Sequence, residues 1–156
     1  MDEQITFKES KIIDVKFEKN ITIIKPCNIY GCSIEDNVFI GPFVEIQKNL
    51  LIKKNTKTQS HSFICELVEI GENCFISHGV FFINDLFKSG GPSGGDQKKW
   101  KKTKIDNHVS IGSNSTILPV KICNSVVVGA GSVVIKDICN KGFYAGKLAK
   151  LIREIY

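Results

Sequence analysis

Residues 68–85 read VEIGENCFISHGVFFIND, a stretch in which Ile70, Ile76 and Phe82 return every six residues. Stepping by six from position 28 extends the series: Asn28, Ile34, Ile40, Ile46, Ile52, Thr58, Ile64, Ile70, Ile76 and Phe82. Eight of these ten are large and apolar. Four residues after each, most positions hold a small or β-branched residue, among them Cys32, Val38, Val44, Thr56, Ser62, Cys74 and Val80. Neither a helix with its period of 3.6 nor a strand with its period of 2 keeps this register over more than fifty residues.

The position three after each starting residue explains the period. It reads Gly31, Asn37, Phe43, Asn49, Asn55, His61, Leu67, Asn73, Gly79 and Asp85. Eight of the ten are Gly, Asn, His or Asp, the types that enter the left-handed backbone region at least cost. A chain that turns every six residues needs one at each corner, while the Ile, Val and Phe between corners favour strands. Three hexads close a triangular coil, and coils stack at the spacing of neighbouring strands, each covering the next.

The register returns at Ile105, Ile111 and Ile117, then Ile122, Val128 and Val134. The step from Ile117 to Ile122 is five, which predicts a tightened corner at Pro119. Upstream, residues 5–27 alternate loosely and read as an imperfect first coil or cap. Residues 87–103 break the pattern with a Gly-rich, basic run around Trp100, the single tryptophan. An insertion of this length inside a repeat domain reads as a functional loop thrown out from one corner. The tail, about residues 141–156, spaces Leu148, Leu151, Ile152 and Ile155 as a short amphipathic helix would. The whole chain, 1–156, reads as a single all-β domain of stacked triangular coils with one extruded loop and a short C-terminal helix.

Bulk properties narrow the class. Apolar residues make up 42 % of the chain, ordinary for a soluble globular protein, and no long apolar run stands out. The start, MDEQITFKES, is polar and acidic and argues against a leader or membrane anchor, so the expected location is cytoplasmic. Six cysteines show no CxxC pair and no zinc-like spacing, and read as small buried side chains in a reducing compartment. Much of the net charge of +5 lies in Gln97–Lys104, a run open to three readings: nucleic-acid contact, diphosphate contact or a solvated loop.

The stretch 68–85, with VSIGSNSTILP at 109–119 and VVVGAGSVVIKDI at 126–138, resembles the hexapeptide-repeat acyltransferases, whose fold is a left-handed parallel β-helix. SHSFICE at 60–66, HGVFFIND at 78–85, the GGPSGG loop with its Trp and the tail GFYAGKLAK at 142–150 are similar to the nucleotide-sugar branch, in particular to enzymes that acetylate a dTDP-linked 3-amino-3,6-dideoxyhexose. The resemblance implies a homotrimer with sites between neighbouring prisms, acetyl-CoA along the groove between subunits as donor, no metal, and a nucleotide-linked amino sugar as acceptor. It assigns the role to surface-glycan synthesis such as O-antigen or S-layer. The family's tail reads Gly-Asn-Pro-Ala-Lys or -Arg; here it is Gly146-Lys147-Leu148-Ala149-Lys150.

Acetyl transfer to an amine needs a neutral, aligned nucleophile, a donor facing the developing oxyanion and an acceptor for the proton. His78, beside Gly79, is the candidate base, or the group that orients substrate where the departing thiolate takes the proton. His61 lies 17 residues earlier and belongs to the adjacent coil. Asn84 and Asp85, one hexad on, suit sugar hydroxyls or the ammonium, and Trp100 suits stacking on a base or pinning the loop. Gly129, Ala130 and Gly131 let backbone approach a pantetheine arm. Lys136, Lys147 and Lys150, with Gly146, follow the last strands, where the resemblance places the CoA phosphates. His61, Asp85 and His108 also have a purely conformational reading as corner residues.

Three other classes are weighed. A zinc site would use the three histidines, His61, His78 and His108, but their spacings of 17 and 30 lack a close pair. A non-catalytic scaffold would not need the loop or the lysine-bearing tail. Another acceptor, such as a 4-amino or uronic nucleotide sugar or a small amine or alcohol, remains within the same class.

Overall fold

The structure, a computed structural model, describes residues 9–154. Most of the polar start and the last two residues of the tail lie outside these. The chain winds through short strands that fall into three parallel sheets, one per side of a triangular prism. Face A holds seven strands, from Ile12–Ile13 to Val133–Val134; face B holds six and face C eight. The chain visits A, B and C in turn, the architecture of a left-handed β-helix.

The series of sixes is the core. Ile34, Ile40, Ile46, Ile52, Ile64, Ile70, Ile76, Phe82, Ile105, Ile111, Ile117 and Ile122 are all at most 1 % exposed. Each such burial is worth roughly 1.5–3 kcal/mol. In-register pairing stacks like on like, as in Ile46↔Ile64 and Ile76↔Ile111. The smaller series, Cys32 through Val80, is buried too and fills the space beneath the corners.

One register assignment changes. Ile29, fully buried and paired with Ile46, faces inward at the first position, and Asn28 pairs with Glu45. The side from Ile29 to Ile34 therefore has five residues, like that from Ile117 to Ile122. At Pro119 the chain turns with no left-handed residue, the tightening expected from the missing position. The first coil is complete, with a strand on each face at Ile12–Ile13, Lys16–Phe17 and Thr22–Ile23.

The corners behave as the pattern requires, with departures in residue type at Phe43, Leu67 and Ser125. Asn37, Asn49, Asn55, His61 and Asn73 have φ near +60°, and so do Phe43 and Leu67, which accept the strain. On the edge between faces B and C the asparagines form a ladder: Asn20 donates to Asn37, Asn37 to Asn55 and Asn55 to Asn73, at 3.1–3.2 Å. Asp85 leaves the left-handed region; Phe87 adopts it instead, because the chain exits the prism here.

The tail is not helical. Gly142–Ala145 adds to face C, and Lys150–Arg153 returns antiparallel along it. A helix of this length is marginal in water, whereas the last strand of face C offers a row of unpaired backbone groups. Leu148, Leu151 and Ile152 are half exposed, so no apolar helical face is buried. The cysteines also divide: Cys27, Cys32, Cys65 and Cys74 are buried as expected, but Cys123 is half-buried and Cys139 exposed. Among the described residues no helix is long and apolar enough to cross a membrane.

Candidate functional site

The edge where face C turns into face A gathers one set of candidates. Its corner pairs, coil by coil, are Pro42-Phe43, Ser60-His61, His78-Gly79, Ser113-Asn114 and Ala130-Gly131. Each corner amide donates to the coil before: His61 to Pro42, Gly79 to Ser60, Asn114 to His78 and Gly131 to Ser113, at 2.8–3.2 Å. His78 and Ala130 are thus two coils apart on one line, roughly 10 Å at the strand spacing.

His78 is exposed, and its Nδ1 lies 2.9 Å from Ser60 Oγ. A proton on Nδ1 donated to the hydroxyl leaves the Nε2 lone pair facing outward. His61 is not the register mate of His78; Ser60 is. The His61 ring stacks instead on Phe43, centroids 4.9 Å apart. Gly79 carries no side chain of necessity: a Cβ there would strike Asn114 Oδ1.

The tail closes this edge. Val133 donates to the Gly146 carbonyl at 3.0 Å, Ala149 to that of Val133 at 2.9 Å, and Ser132 Oγ accepts from the Gly146 amide. The turn therefore forms although Lys147 and Leu148 stand in it. Lys147 and Lys150 are exposed beside it. The two glycines of GAG differ. A Cβ on Gly129 would meet Ala145 and Phe143 at 3.0 and 3.1 Å, so its space is filled by the tail; at Gly131, φ +67°, nothing lies within 4 Å.

The second set stands across face A. Asn84 follows the strand Phe81–Phe82, at the edge where face A turns into face B. It is six residues from His78, roughly 20 Å along an extended chain. Its amide donates to the Glu66 carbonyl at 3.3 Å, and its own carbonyl accepts from Lys101. The Asp85 carboxylate accepts from the amides of Phe87 (2.9 Å) and Ser93 (2.7 Å), and these two donors hold its pKa below the usual carboxylate value. Trp100 Nε1 donates to Ser93 Oγ, which ties the far end of the loop to its start. Lys136 lies on this same edge two turns on, exposed. His108 stands on the third edge, so the three imidazoles do not converge.

Two residues escaped the reading of the sequence. Ser60 lies one full coil, 18 residues, before His78, and that spacing is the signal that identifies it. Glu66, 7 % exposed, lies the same distance before Asn84. Its carboxylate accepts from Asn49 (3.4 Å) and from Gln97 of the loop (3.1 Å), with Lys48 at 3.8 Å. A buried carboxylate is costly unless so partnered.

Known proteins place this geometry. Residues 102–136 match the family model described as the hexapeptide repeat of succinyl-transferase. The bifunctional protein GlmU of Thermotoga maritima is 29 % identical over 154 residues, covering 93 % of this chain; the chain spans 34 % of that protein's length. A single-site mutant of AntD, an N-acyltransferase from Bacillus cereus solved with dTDP and coenzyme A, has a TM-score of 0.77 at 27 % identity, covering 92 % of this chain and 85 % of that one. A second AntD mutant, solved with dTDP-4-amino-4,6-dideoxyglucose and coenzyme A, has a TM-score of 0.56 at 24 % identity, covering 91 % and 84 %. Repeat, prism and likeness agree on the fold: residues 102–136 carry the hexapeptide repeat, and the chain is similar to left-handed β-helix acyltransferases.

Proposed function

We propose that this protein is an acetyl-CoA-dependent N-acetyltransferase whose acceptor is the amine of a dTDP-linked amino-dideoxyhexose, in the cytoplasmic synthesis of a surface glycan. The observation that carries the reading is the alignment, on one edge of the prism, of His78, the open backbone at Gly131 and the turn from Gly146 to Lys150. Likeness to AntD, solved with both dTDP and coenzyme A, supports it.

Acetyl-CoA supplies a thioester carbon open to attack and a thiolate able to leave. Along the edge, Gly131 leaves room for a pantetheine arm, Ala130 follows the same line, and Lys147 and Lys150 are point charges for phosphates. Gly129 supports this arrangement by seating Phe143 and Ala145. His78 Nε2 faces the acceptor amine, with Ser60 fixing the ring; it accepts the ammonium proton before attack or orients the amine. Asn84 is the leading contact to the sugar, with Asp85 and Trp100 on the same edge and Lys136 beyond, and His61 approaches the sugar from the edge of His78.

His78 and Asn84 stand at opposite ends of one face, too far apart for one small sugar in a single chain. A homotrimer, in which the edge of one prism meets the loop-bearing edge of the next, brings the two sets together. The half-exposed Phe43, Phe63 and Phe81 on and beside face A suit such a contact.

The resemblance of residues 60–66 and 78–85 favours a 3-amino-3,6-dideoxyhexose. A second reading, a 4-amino sugar, is favoured by the ligand of AntD. Thiol release from acetyl-CoA is to be followed with dTDP-linked 3-amino-3,6-dideoxyglucose, its galactose epimer and dTDP-4-amino-4,6-dideoxyglucose. Turnover of one 3-amino epimer supports the first reading and turnover of the 4-amino sugar the second. CoA binding without turnover discards these acceptors, and absence of CoA binding overturns the enzyme.

A further inference from the structure

The loop that leaves the prism after Asn84 is a built object. The Asp85 carboxylate pins its start through Phe87 and Ser93, Trp100 closes it onto Ser93, and Asp96 caps the short 3₁₀ turn Gln97–Lys99 by accepting from the Lys98 amide. Gln97 ties it to Glu66 on the prism. Inside this frame is a cavity of about 290 Å³, lined by Lys88, Lys98, Lys99 and Lys101, by Ser89, Gly91 and Ser93, and by Asp85, the one acidic residue in its wall.

Four exposed lysines line this one space, and their like charges favour an anion between them. The five lysines that form ion pairs among the described residues, Lys48, Lys53, Lys54, Lys104 and Lys121, all sit on the prism. None of the four lining the cavity is paired among those residues. The two carboxylates nearby, Asp85 and Asp96, are committed to backbone amides and balance only half of the charge. Gly91, with nothing within 4 Å of where a Cβ would be, lets an anion reach the backbone, and Ser89 adds a hydroxyl donor.

We infer that this cavity is a phosphate-binding cradle, which takes the diphosphate or a terminal phosphate of a nucleotide on Lys88, Lys98, Lys99 and Lys101. The identity of the nucleotide rests on the transferase reading; the anion site does not. Lysine suits the role as a mobile point charge for multiply charged phosphoryl oxygens. The loop, fastened to Asn84 through the Lys101 amide, carries the phosphate beside the contact proposed for the sugar.

The test is titration calorimetry on the full chain with inorganic pyrophosphate, dTDP and CoA in turn. Lys98→Ala/Lys99→Ala is expected to weaken pyrophosphate and dTDP tenfold or more, while Lys98→Arg/Lys99→Arg stays within about threefold because charge is kept. Lys88→Ala serves as an independent variant, and an unchanged melting temperature shows that the prism is intact. Loss confined to CoA assigns the cradle to a CoA phosphate instead of the acceptor's. Lysine-dependent binding of pyrophosphate with no binding of dTDP keeps the cradle and overturns the dTDP-sugar reading. Unchanged affinity for all three anions in both alanine variants overturns the cradle.

Discussion

Ser60 Oγ and His78 Nδ1 meet at 2.9 Å across one full coil. The repeat therefore delivers to His78 an orienting partner by stacking alone, in the way it stacks isoleucine on isoleucine in the core.

With that pair as the proton-handling unit, His78→Ala should lower kcat on the amino-sugar acceptor about a hundredfold. Ser60→Ala should cost roughly fivefold, the worth of one hydrogen bond, and alter the pH profile of kcat/KM. A loss of tenfold or less in His78→Ala, with an unaltered pH profile, makes His78 an orienting group and leaves the proton to the thiolate.

Trp100 reports on the loop. The Asp85 carboxylate is held below its ordinary pKa by the amides of Ser93 and Phe87. A depressed folded value means that its contribution is fully present above the unfolded pKa, about 3.9, and is lost as pH falls through the folded value below it. Tryptophan fluorescence should hold steady down to about pH 4 and change below it, reversibly. Asp85→Asn should show the acid-like spectrum at neutral pH. An identical spectrum in that variant would remove Asp85 as the loop's anchor.

Thr58 occupies an inward position between Ile40 and Ile76, and its buried hydroxyl has no hydrogen-bond partner among the described residues. Thr58→Val keeps the shape and removes the unsatisfied group, so it should stabilise the protein by about 1 kcal/mol. Chemical denaturation measures this directly; a destabilised variant would mean that the hydroxyl has found a donor.

Burial pushes Cys32 up to about 11 and Cys65 up to about 12, so neither forms thiolate near neutrality. Iodoacetamide on the native protein should label Cys139 first and Cys123 next. Cys27, Cys32, Cys65 and Cys74 should react only after unfolding, which peptide mass mapping will show.

The prism was legible because one period governs every coil, and an isoleucine every six residues with asparagine or glycine at the corner admits few alternatives. Legibility fails where the rule is local. Asn28 occupies a register position, but a five-residue side turns Ile29 inward instead. Leu148, Leu151 and Ile152 carry a helical spacing, but the open edge of face C offers more hydrogen bonds than an isolated turn of helix. At the site, His78 and the tail glycines stand out by type. Ser60 and Glu66 become visible only when the period is used as a ruler, each one coil before a residue already singled out.

The antiparallel return of Lys150–Arg153 has a consequence for assembly. A stack of parallel coils is a template that any similar strand could extend, coil upon coil, into a fibre. Reversing the chain on face C, with Lys147 laid against Val133 on face A and Ile138 against Ile122 on face B, makes the last layer unlike all those before it. A strand that runs the other way offers no parallel register for a further coil on face C, so the edge it covers is closed to growth of the stack.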